Sequence, residues 1–258
     1  PSWFKPLFAK SKIRFCLAQR TPDGAPSTGI TRTVSSSNSF TYDDKVKYAN
    51  SGGNNSWNTN DYYNVWICRL SNDLLGYATF PEDGDVDAQG VVIDYRSLPG
   101  GGYANYNTGK TLCHETGHYF NLYHIWGDDN GACTGTDYVD DTPNQANSST
   151  GCSSGIKTDR CTTGGNGIMY QNYMDYSYDA CLLMFTTEQV ERMESALLTY
   201  RSSLLSSQAC TPVTLYNNDA ALLSISEPTQ RLCVPSYAPL ISIRNKGSEN
   251  LTALSITV

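Results

Sequence analysis

The sequence is poor in charged residues, which make up only 17% of its 258 positions, against about 25% in an average soluble protein. Lysine and arginine total 18 and are outnumbered by 25 acidic residues, which gives a formal net charge of -7. A nucleic-acid groove or an anionic membrane surface requires clustered basic residues. We therefore expect no nucleic-acid partner and expect partners to be recognised by shape and pockets.

Long apolar segments are also missing. No apolar run approaches the roughly 18 residues of a membrane span, and no basic segment followed by an apolar one opens the chain. We expect no membrane span, and we expect Pro1 to follow a removed leader or pro-segment. The nine cysteines favour an oxidising, extracellular location, because so many free thiols are unusual in the cytosol. The sequence thus predicts a secreted protein with several disulfides.

The pattern of apolar residues predicts a mixture of strands and helices. Short runs rich in β-branched and aromatic residues predict strands at 13–18, 65–70 and 91–98, and a shorter edge strand at 75–80. Three- and four-residue spacing predicts helices at 108–122 and 186–203. Thr186 and Gln189 form a capping-box signature at the start of the second helix. The long segment 127–184 lacks periodicity and is expected to be irregular and crosslinked.

All three histidines of the protein lie within residues 114–124. His114 and His118 are four residues apart on the predicted helix, so they share one face and can bind one Zn²⁺. Glu115 reaches the side where a metal-bound water would lie, and a carboxylate there can act as general base when that water attacks a peptide carbonyl. Serine, cysteine or lysine nucleophile schemes lack a histidine outside this cluster. The alternative is a surface helix with ordinary polar residues.

The third histidine requires the helix to end before it. A continuous helix would place His124 about 240° from His118 around the helix axis. Asn121 is the commonest non-glycine type for the left-handed turn that ends a helix. We therefore predict a break at Asn121 that folds His124 back and leaves the fourth zinc position open, as catalysis requires. Three histidines at this spacing disfavour the surface-helix alternative.

The sequence resembles the pappalysin family of metzincin metallopeptidases, particularly its secreted microbial members. The resemblance is carried by residues 13–18 with 29–32, the histidine motif, 126–128 through 140–143, and 172–176 through 181 and 185. It implies an α+β fold of the metzincin type, with a twisted, mostly parallel sheet, an active-site helix and an irregular, disulfide-linked lower subdomain. Asn121 stands where the family usually has glycine, and the family's long helix before the first strand has no counterpart after Pro1.

Two domains are predicted along the chain. The catalytic domain would span residues 1–209, with an upper subdomain over about 1–124 and a lower one over about 125–209. Short alternating runs after Cys210 predict the start of a β-sandwich-like module at 210–258. Its strands are too few to close a sandwich, so the natural chain is expected to continue past Val258.

The resemblance also implies roles for three residues of the lower subdomain. Met174 matches the methionine of the tight turn beneath the zinc, and Tyr176 matches a tyrosine that faces the metal and can stabilise an oxyanion. Asp179 matches the acidic base of the first primed-side pocket, which implies cleavage before Arg or Lys. Each residue also has a plain alternative. Met174 could simply fill the core, Tyr176 could be an ordinary tyrosine among the 18 of the chain, and Asp179 could cap a loop turn.

A calcium site and two disulfides follow from the same resemblance. Hard oxygen donors suited to Ca²⁺ are offered by Asp137, Asp140, Asp141 and Thr142. Family members bind calcium in the matching loop, although a solvated acidic loop is the alternative. Four cysteines of the irregular region allow three pairings, of which the resemblance selects Cys133–Cys161 and Cys152–Cys181. Other cysteines are assigned as a buried thiol at Cys113, a pairing of Cys210 with Cys233, and a weaker pairing of Cys16 with Cys68.

These observations predict a secreted zinc endopeptidase, made as a zymogen, that cleaves proteins or peptides before Arg or Lys. An extended substrate would pair its backbone with the edge strand Gly76, Tyr77, Ala78 and Thr79. Two alternatives remain: a non-catalytic, zinc-stabilised binding or adhesion protein, and a zinc peptidase limited to short peptides. Retention of Glu115 disfavours the first, because a structural zinc site has no use for a base, and an open cleft would disfavour the second.

Overall fold

The computed structural model describes residues 3–227 and 238–255. The regular elements of these residues are β1 (Val65–Cys68), β2 (Gly76–Ala78), β3 (Val91–Asp94), α1 (Lys110–Tyr119), α2 (Thr187–Tyr200), β4 (Ala220–Glu227) and β5 (Leu240–Asn245). Short 3-10 turns occur at Lys5–Leu7, Lys45–Lys47, Ala49–Ser51, Val86–Ala88, Tyr95–Ser97 and Ser202–Ser206. This mixture confirms the predicted α+β class. The predicted helices are present but end earlier at their C-terminal ends.

A three-stranded sheet in the order β1-β3-β2 lies beside α1. β1 is parallel to β3, and β2 is antiparallel to β3 in a register that opposes Gly76 to Ile93. Every residue of β3 is buried, as expected for the branched apolar Val91, Val92 and Ile93 of a central strand. The buried Asp94 is paired with Arg96 at 2.7 Å. β2 therefore lies at the sheet edge, which agrees with the edge strand predicted from the sequence.

Residues 13–18, predicted as a strand, form none. Phe15 and Leu17 remain 59% and 64% exposed. Strand propensity is a preference for a half-buried, pleated surface, so a composition rich in branched and aromatic residues does not create a strand by itself. That prediction was wrong.

Helix α2 begins with the predicted capping box. Thr186 Oγ1 accepts a hydrogen bond from the Gln189 N–H (3.2 Å), and Gln189 Oε1 accepts one from the Thr186 N–H (3.0 Å). Gln189 Oε1 also accepts a hydrogen bond from Asn172 Nδ2 (2.7 Å). The Oδ1 atom of Asn172 in turn accepts one from the Met174 N–H (2.8 Å). The start of α2 is thereby joined to the turn that carries Met174.

The region between the helices is irregular, as predicted. Residues 127–184, all of them described, contain neither an α-helix nor a multi-residue strand. Both disulfides implied for this region are present, with Cα–Cα distances of 5.4 Å for Cys133–Cys161 and 5.7 Å for Cys152–Cys181. Such crosslinks restrict the unfolded chain where secondary structure contributes little.

The remaining cysteines correct one prediction. Cys68 is a free thiol, so the suggested Cys16–Cys68 pairing is wrong. Cys16 and Cys210 are each disulfide-bonded, and Cys233 lies outside the described residues. Cys113, predicted to be a buried thiol, is a free thiol that is half-buried, and burial raises its pKa.

The chain divides into two compact units, one of residues 1–16 with 31–208 and the other of 17–30 with 209–258. The first holds the sheet, α1, α2 and the irregular region. In the second, β4 and β5 pair antiparallel, and Arg244 lies 3.7 Å from Asp23. Across residues 3–227 and 238–255, no helix combines the length and apolar character that crossing a bilayer requires.

Candidate active site

The end of α1 turns the chain back towards the helix, as the sequence predicts. Asn121 has a left-handed conformation with φ of 71°. Its N–H donates to the His118 carbonyl (2.9 Å), and the Leu122 N–H donates to the Gly117 carbonyl (2.9 Å). These two bonds are the pair that defines a Schellman motif with Asn121 as the left-handed residue. The turn brings His124 back over α1.

The three histidine side chains meet at one point. The Nε2 atoms of His114 and His118 are 3.0 Å apart, and His124 Nε2 lies 3.2 Å from the first and 3.1 Å from the second. Their ligand atoms form the one cluster of three metal-binding groups found in the described part of the chain. Three nitrogens bound to a tetrahedral zinc at 2.0–2.1 Å would stand about 3.3 Å apart. The spacing therefore suits one zinc ion.

The other ring nitrogens decide what the cluster can bind. His114 Nδ1 lies 2.7 Å from the Tyr173 carbonyl, and His118 Nδ1 lies 2.7 Å from the Leu122 carbonyl. A carbonyl only accepts, so each Nδ1 carries the hydrogen and each neutral ring leaves Nε2 as a bare lone pair. Three converging lone pairs cannot hydrogen-bond to one another, and a cation is the partner that satisfies all three.

The environment favours the neutral, metal-binding form of these histidines. Burial lowers the pKa of His114 well below its usual value and that of His118 to about 3, and neighbouring imidazoles lower both further. Burial also lowers the pKa of His124, against the opposing effect of the Asp128 carboxylate. Since metal ligation requires an unprotonated nitrogen, the burial of the cluster prepares it for a metal.

His124 is oriented by two residues that the sequence reasoning did not assign. Its ring stacks on Trp126 with centroids 4.1 Å apart and an interplanar angle of 10°. Its Nδ1–H donates to Asp128 Oδ2 at 2.9 Å, an arrangement that fixes the ring and raises the basicity of a ligand. Both residues follow His124 within four positions, in the segment 126–128 that carried the resemblance.

Glu115 is buried beside this cluster, and burial raises its pKa to about 8. The edge strand β2 passes directly over it: a Cβ at Gly76 would lie 3.0 Å from Glu115 Cγ and 2.9 Å from the Val92 carbonyl. Glycine at this position therefore allows the close approach. The structure brings Glu115, the histidine cluster and the edge strand to one place.

The edge strand ends between two buried cations that no sequence motif marks. Lys47 and Arg201 are only 1% and 7% exposed. Lys47 Nζ donates to Thr79 Oγ1 and to the Ala88 carbonyl, both at 2.8 Å. Arg201 donates through Nη2 to the Thr79 carbonyl (3.3 Å) and through Nε to the Tyr119 carbonyl (2.9 Å). These bonds connect the end of β2 to the end of α1.

Tyr176 lies at the open side of the cluster, with its hydroxyl 3.1 Å from His124 Nε2. Burial of its hydroxyl raises its pKa to about 12, although the side chain as a whole is 46% exposed. The phenol is therefore a neutral donor at ordinary pH. Its ring is edge-on to Trp126, with centroids 4.8 Å apart.

Met174 is fully buried against α1. The Gly117 backbone rests on it so closely that a Cβ at Gly117 would lie 2.5 Å from Met174 Sδ. Gly117 lies between Glu115 and His118 on α1, and its lack of a side chain sets the depth at which the helix meets Met174.

Asp179 is 3% exposed and has two unequal oxygens. Oδ2 accepts hydrogen bonds from the N–H (2.8 Å) and the hydroxyl (2.9 Å) of Thr108, just before α1 begins. Oδ1 is buried and has no partner among the described residues. The carboxylate thus caps a loop with one oxygen, while the other has no donor among the described residues.

The acidic loop at 137–142 packs on the start of α2. Thr142 donates to Asp137 Oδ2 (2.7 Å), and the Glu188 N–H donates to Asp141 Oδ2 (2.9 Å). Burial raises the pKa of Asp137 to about 6. Asp141 Oδ1 is buried without a partner among the described residues, whereas Asp140 is exposed and contributes its N–H to Glu188 Oε2 (2.6 Å).

Comparison with known families gives one family match. The model of the M43 peptidase family, described as pregnancy-associated plasma protein-A, matches residues 41–198. Curated relatives include an extracellular metalloprotease of Sordaria macrospora, 44% identical over 146 residues, and one of Neurospora crassa, 43% identical over 146 residues. Each alignment covers 54% of this chain and 50% of the relative. The chain therefore matches about half the length of these relatives.

Solved structures extend the similarity to most of the chain. Mature mirolysin of Tannerella forsythia in complex with a cleaved peptide is 46% identical, with a TM-score of 0.79 over 83% of this chain and 82% of that one. Promirolysin of the same organism is 45% identical, with a TM-score of 0.79 over 83% of this chain and 72% of that one.

Replacing Gly117 with alanine is expected to lower the free energy of unfolding by about 1–3 kcal/mol through overpacking against Met174. At an ordinary helix position the same change stabilises by up to about 1 kcal/mol. Urea unfolding of the metal-free protein measures the difference. In a Met174→Ala background, which removes the opposing thioether, the alanine should no longer destabilise. A Gly117→Ala protein with an unchanged urea midpoint would contradict the close contact.

Proposed function

Because this chain belongs to the M43, or pappalysin, family of metallopeptidases, we propose that it is a secreted zinc-dependent endopeptidase. The observation that carries the proposal is the convergence of three Nε2 lone pairs at 3.0–3.2 Å beside a buried glutamate and under a sheet edge. Extracellular relatives support secretion. The pro-form among the matched structures supports synthesis with an N-terminal pro-segment.

His114, His118 and His124 would hold the zinc, which when bound supplies a Lewis acid that polarises the peptide carbonyl and acidifies water. Glu115, whose ionised form the charge of a bound zinc would favour, accepts the proton of the attacking water and passes it to the leaving amide nitrogen. The Tyr176 hydroxyl donates a hydrogen bond to the oxyanion formed at the carbonyl. Met174 supports the plane of the histidines from below.

A substrate would bind in an extended conformation along β2. Within residues 3–227 and 238–255, β2 bonds to β3 on one side only, so its other edge can pair with a peptide backbone. The bonds of Lys47 and Arg201 to Thr79 keep that edge in place, and Gly76 lets it run close to Glu115. An edge that binds backbone along several residues favours protein segments over very short peptides as substrates.

Glu115→Gln is expected to lower the rate of protein hydrolysis by about a hundredfold to ten-thousandfold, because the amide cannot take up the proton of the attacking water. Bound zinc should remain near one equivalent, measured by elemental analysis, since Glu115 is not a ligand. Glu191→Gln, an exposed site on α2, serves as the matched control. Unchanged proteolysis in Glu115→Gln with zinc retained would instead favour a zinc-stabilised binding protein.

We further propose that Asp179 makes the enzyme cleave before Arg or Lys. The support is the buried Oδ1, which has no partner in the described residues while Thr108 saturates Oδ2. A buried carboxylate oxygen without a donor is costly unless a cation binds it. A substrate guanidinium or ammonium that reaches this oxygen would provide that cation.

Asp179→Asn is expected to reduce cleavage before Arg and Lys by about 10- to 100-fold, the loss of one hydrogen bond to a charged group. Cleavage-site profiling of a peptide library by mass spectrometry measures the change, and cleavage before other residues should change little. Asp83→Asn, at an exposed position, is the charge-matched control. Cuts by the unmodified enzyme that are indifferent to Arg and Lys would rule out the assignment.

A calcium ion is proposed at the acidic loop formed by Asp137, Asp140, Asp141 and Thr142. The support is the burial of Asp137 and the unpartnered Oδ1 of Asp141, since hard oxygen donors of this kind suit Ca²⁺. The bond of Asp141 to the Glu188 N–H would transmit the effect of the ion to the start of α2.

Calcium at about 100 times its dissociation constant should stabilise the zinc-loaded protein by about 2.7 kcal/mol, visible as a higher melting temperature. Asp141→Asn should remove most of this increase, whereas Asp83→Asn should keep it. A metal-stripped sample that regains full activity and melting temperature with zinc alone would argue against a required calcium ion.

A further inference from the structure

The left-handed turn at Asn121 is the point on which the position of His124 depends. A side chain at φ of 71° is strained in any residue other than glycine, though less in asparagine than in most. The turn is nevertheless formed completely, with the Asn121 N–H bonded to the His118 carbonyl and the Leu122 N–H to the Gly117 carbonyl. A contact from outside α1 that favours this conformation would offset the remaining strain.

Arg192 supplies a contact from another element. Its Nε–H donates to the Asn121 carbonyl at 2.7 Å, a short bond between a charged donor and a backbone acceptor. Arg192 lies on α2, 71 residues along the chain, and is partly buried. The bond therefore joins the peptide group of the left-handed residue to a second helix.

The guanidinium is itself positioned by aromatic rings. It lies 5.4 Å from the ring centroid of Tyr123 and 5.4 Å from that of Tyr138, within the range of cation–π attraction. Tyr123 directly precedes the third histidine, and its ring is edge-on to Tyr138 with centroids 5.2 Å apart. Arg192 thus contacts the chain on both sides of Leu122, whose carbonyl orients His118.

We propose that Arg192 is a positioning residue of the metal centre, which stabilises the left-handed turn at Asn121 and thereby keeps His124 in its ligating position. The apparent metal affinity of such a site falls in proportion to the fraction of molecules in the competent conformation. With asparagine at 121 that fraction depends on Arg192. A glycine at 121 adopts the turn without strain, so it would make the site less dependent on Arg192.

The inference rests on zinc binding by the three histidines, as in the proposed function, but not on proteolysis. Its test is a double-mutant cycle of the whole chain: unmodified, Asn121→Gly, Arg192→Gln, and the two together. Zinc affinity is measured by competition with a fluorescent chelator, and the melting temperature of the metal-free protein is recorded alongside. Glu191→Gln, the exposed neighbour of Arg192 on α2, is the control for a change of charge.

Arg192→Gln is expected to weaken zinc binding about tenfold with Asn121 present, as for the loss of one charge-assisted hydrogen bond. With glycine at 121 the loss should be about threefold or less, and Glu191→Gln should leave the affinity unchanged. Arg192→Lys keeps the charge but lacks the Nε–H, so it should weaken zinc binding as Arg192→Gln does. If Arg192→Gln does not fold, Arg192→Lys takes its place in the cycle.

If Arg192→Gln weakened zinc binding equally with asparagine and with glycine at 121, the proposal would be overturned. Arg192 would then affect zinc binding by a route other than the left-handed turn. A lower melting temperature with unchanged zinc affinity would overturn it too, since that is the signature of a purely structural contact. Failure of the unmodified protein to bind zinc would remove both this proposal and the proposed function.

Discussion

Three imidazole lone pairs that point at one another set the requirements for the whole metal-site region. Each Nε2 is free only because the Nδ1–H of the same ring has an acceptor, and the three acceptors come from different places. The Tyr173 carbonyl lies in the irregular region, the Leu122 carbonyl in the turn after α1, and the Asp128 carboxylate beyond it. The cluster therefore forms only when α1, the turn after it and the irregular region are all folded.

The sheet edge depends on a second constraint, the burial of two positive charges beside Thr79, one of which, Lys47, is also paired with Asp44 Oδ1 at 2.8 Å. Lys47 and Arg201 both reach this residue, one through its hydroxyl and the other through its carbonyl. Burying a cation is costly unless its donors are satisfied, so the two side chains and the end of β2 stabilise one another. Because β2 also touches Glu115 at Gly76, displacement of the edge would disturb the site.

The sequence predicts the parts of this fold that local rules determine. The helical spacing of His114 and His118, the break at Asn121 and the capping box at Thr186 are all read from residues within a few positions of each other, and the structure has each of them. The family resemblance supplied the disulfide pairs, which spacing alone leaves open. The strand at 13–18 was wrong because strand formation depends on pairing that composition does not encode.

Contacts between distant segments were outside the reach of the sequence. Lys47, Arg201 and Arg192 look like surface cations, and only the fold brings them to the carbonyls that they bind. The close approaches at Gly76 and Gly117 are equally invisible, since a glycine in a strand or helix has several explanations. The sequence therefore predicts functional residues that lie on one secondary-structure element. It does not predict the residues of distant elements that hold them in position.

Leu122 belongs to the hydrophobic core by its side chain, which is 1% exposed, and supports the metal site by its backbone. Its N–H closes the end of α1 on the Gly117 carbonyl, and its own carbonyl orients His118. One peptide unit thus ends the helix while the next orients a ligand, and both must keep their place relative to His124. Between the second and third histidines a single inserted or deleted residue would break both bonds together.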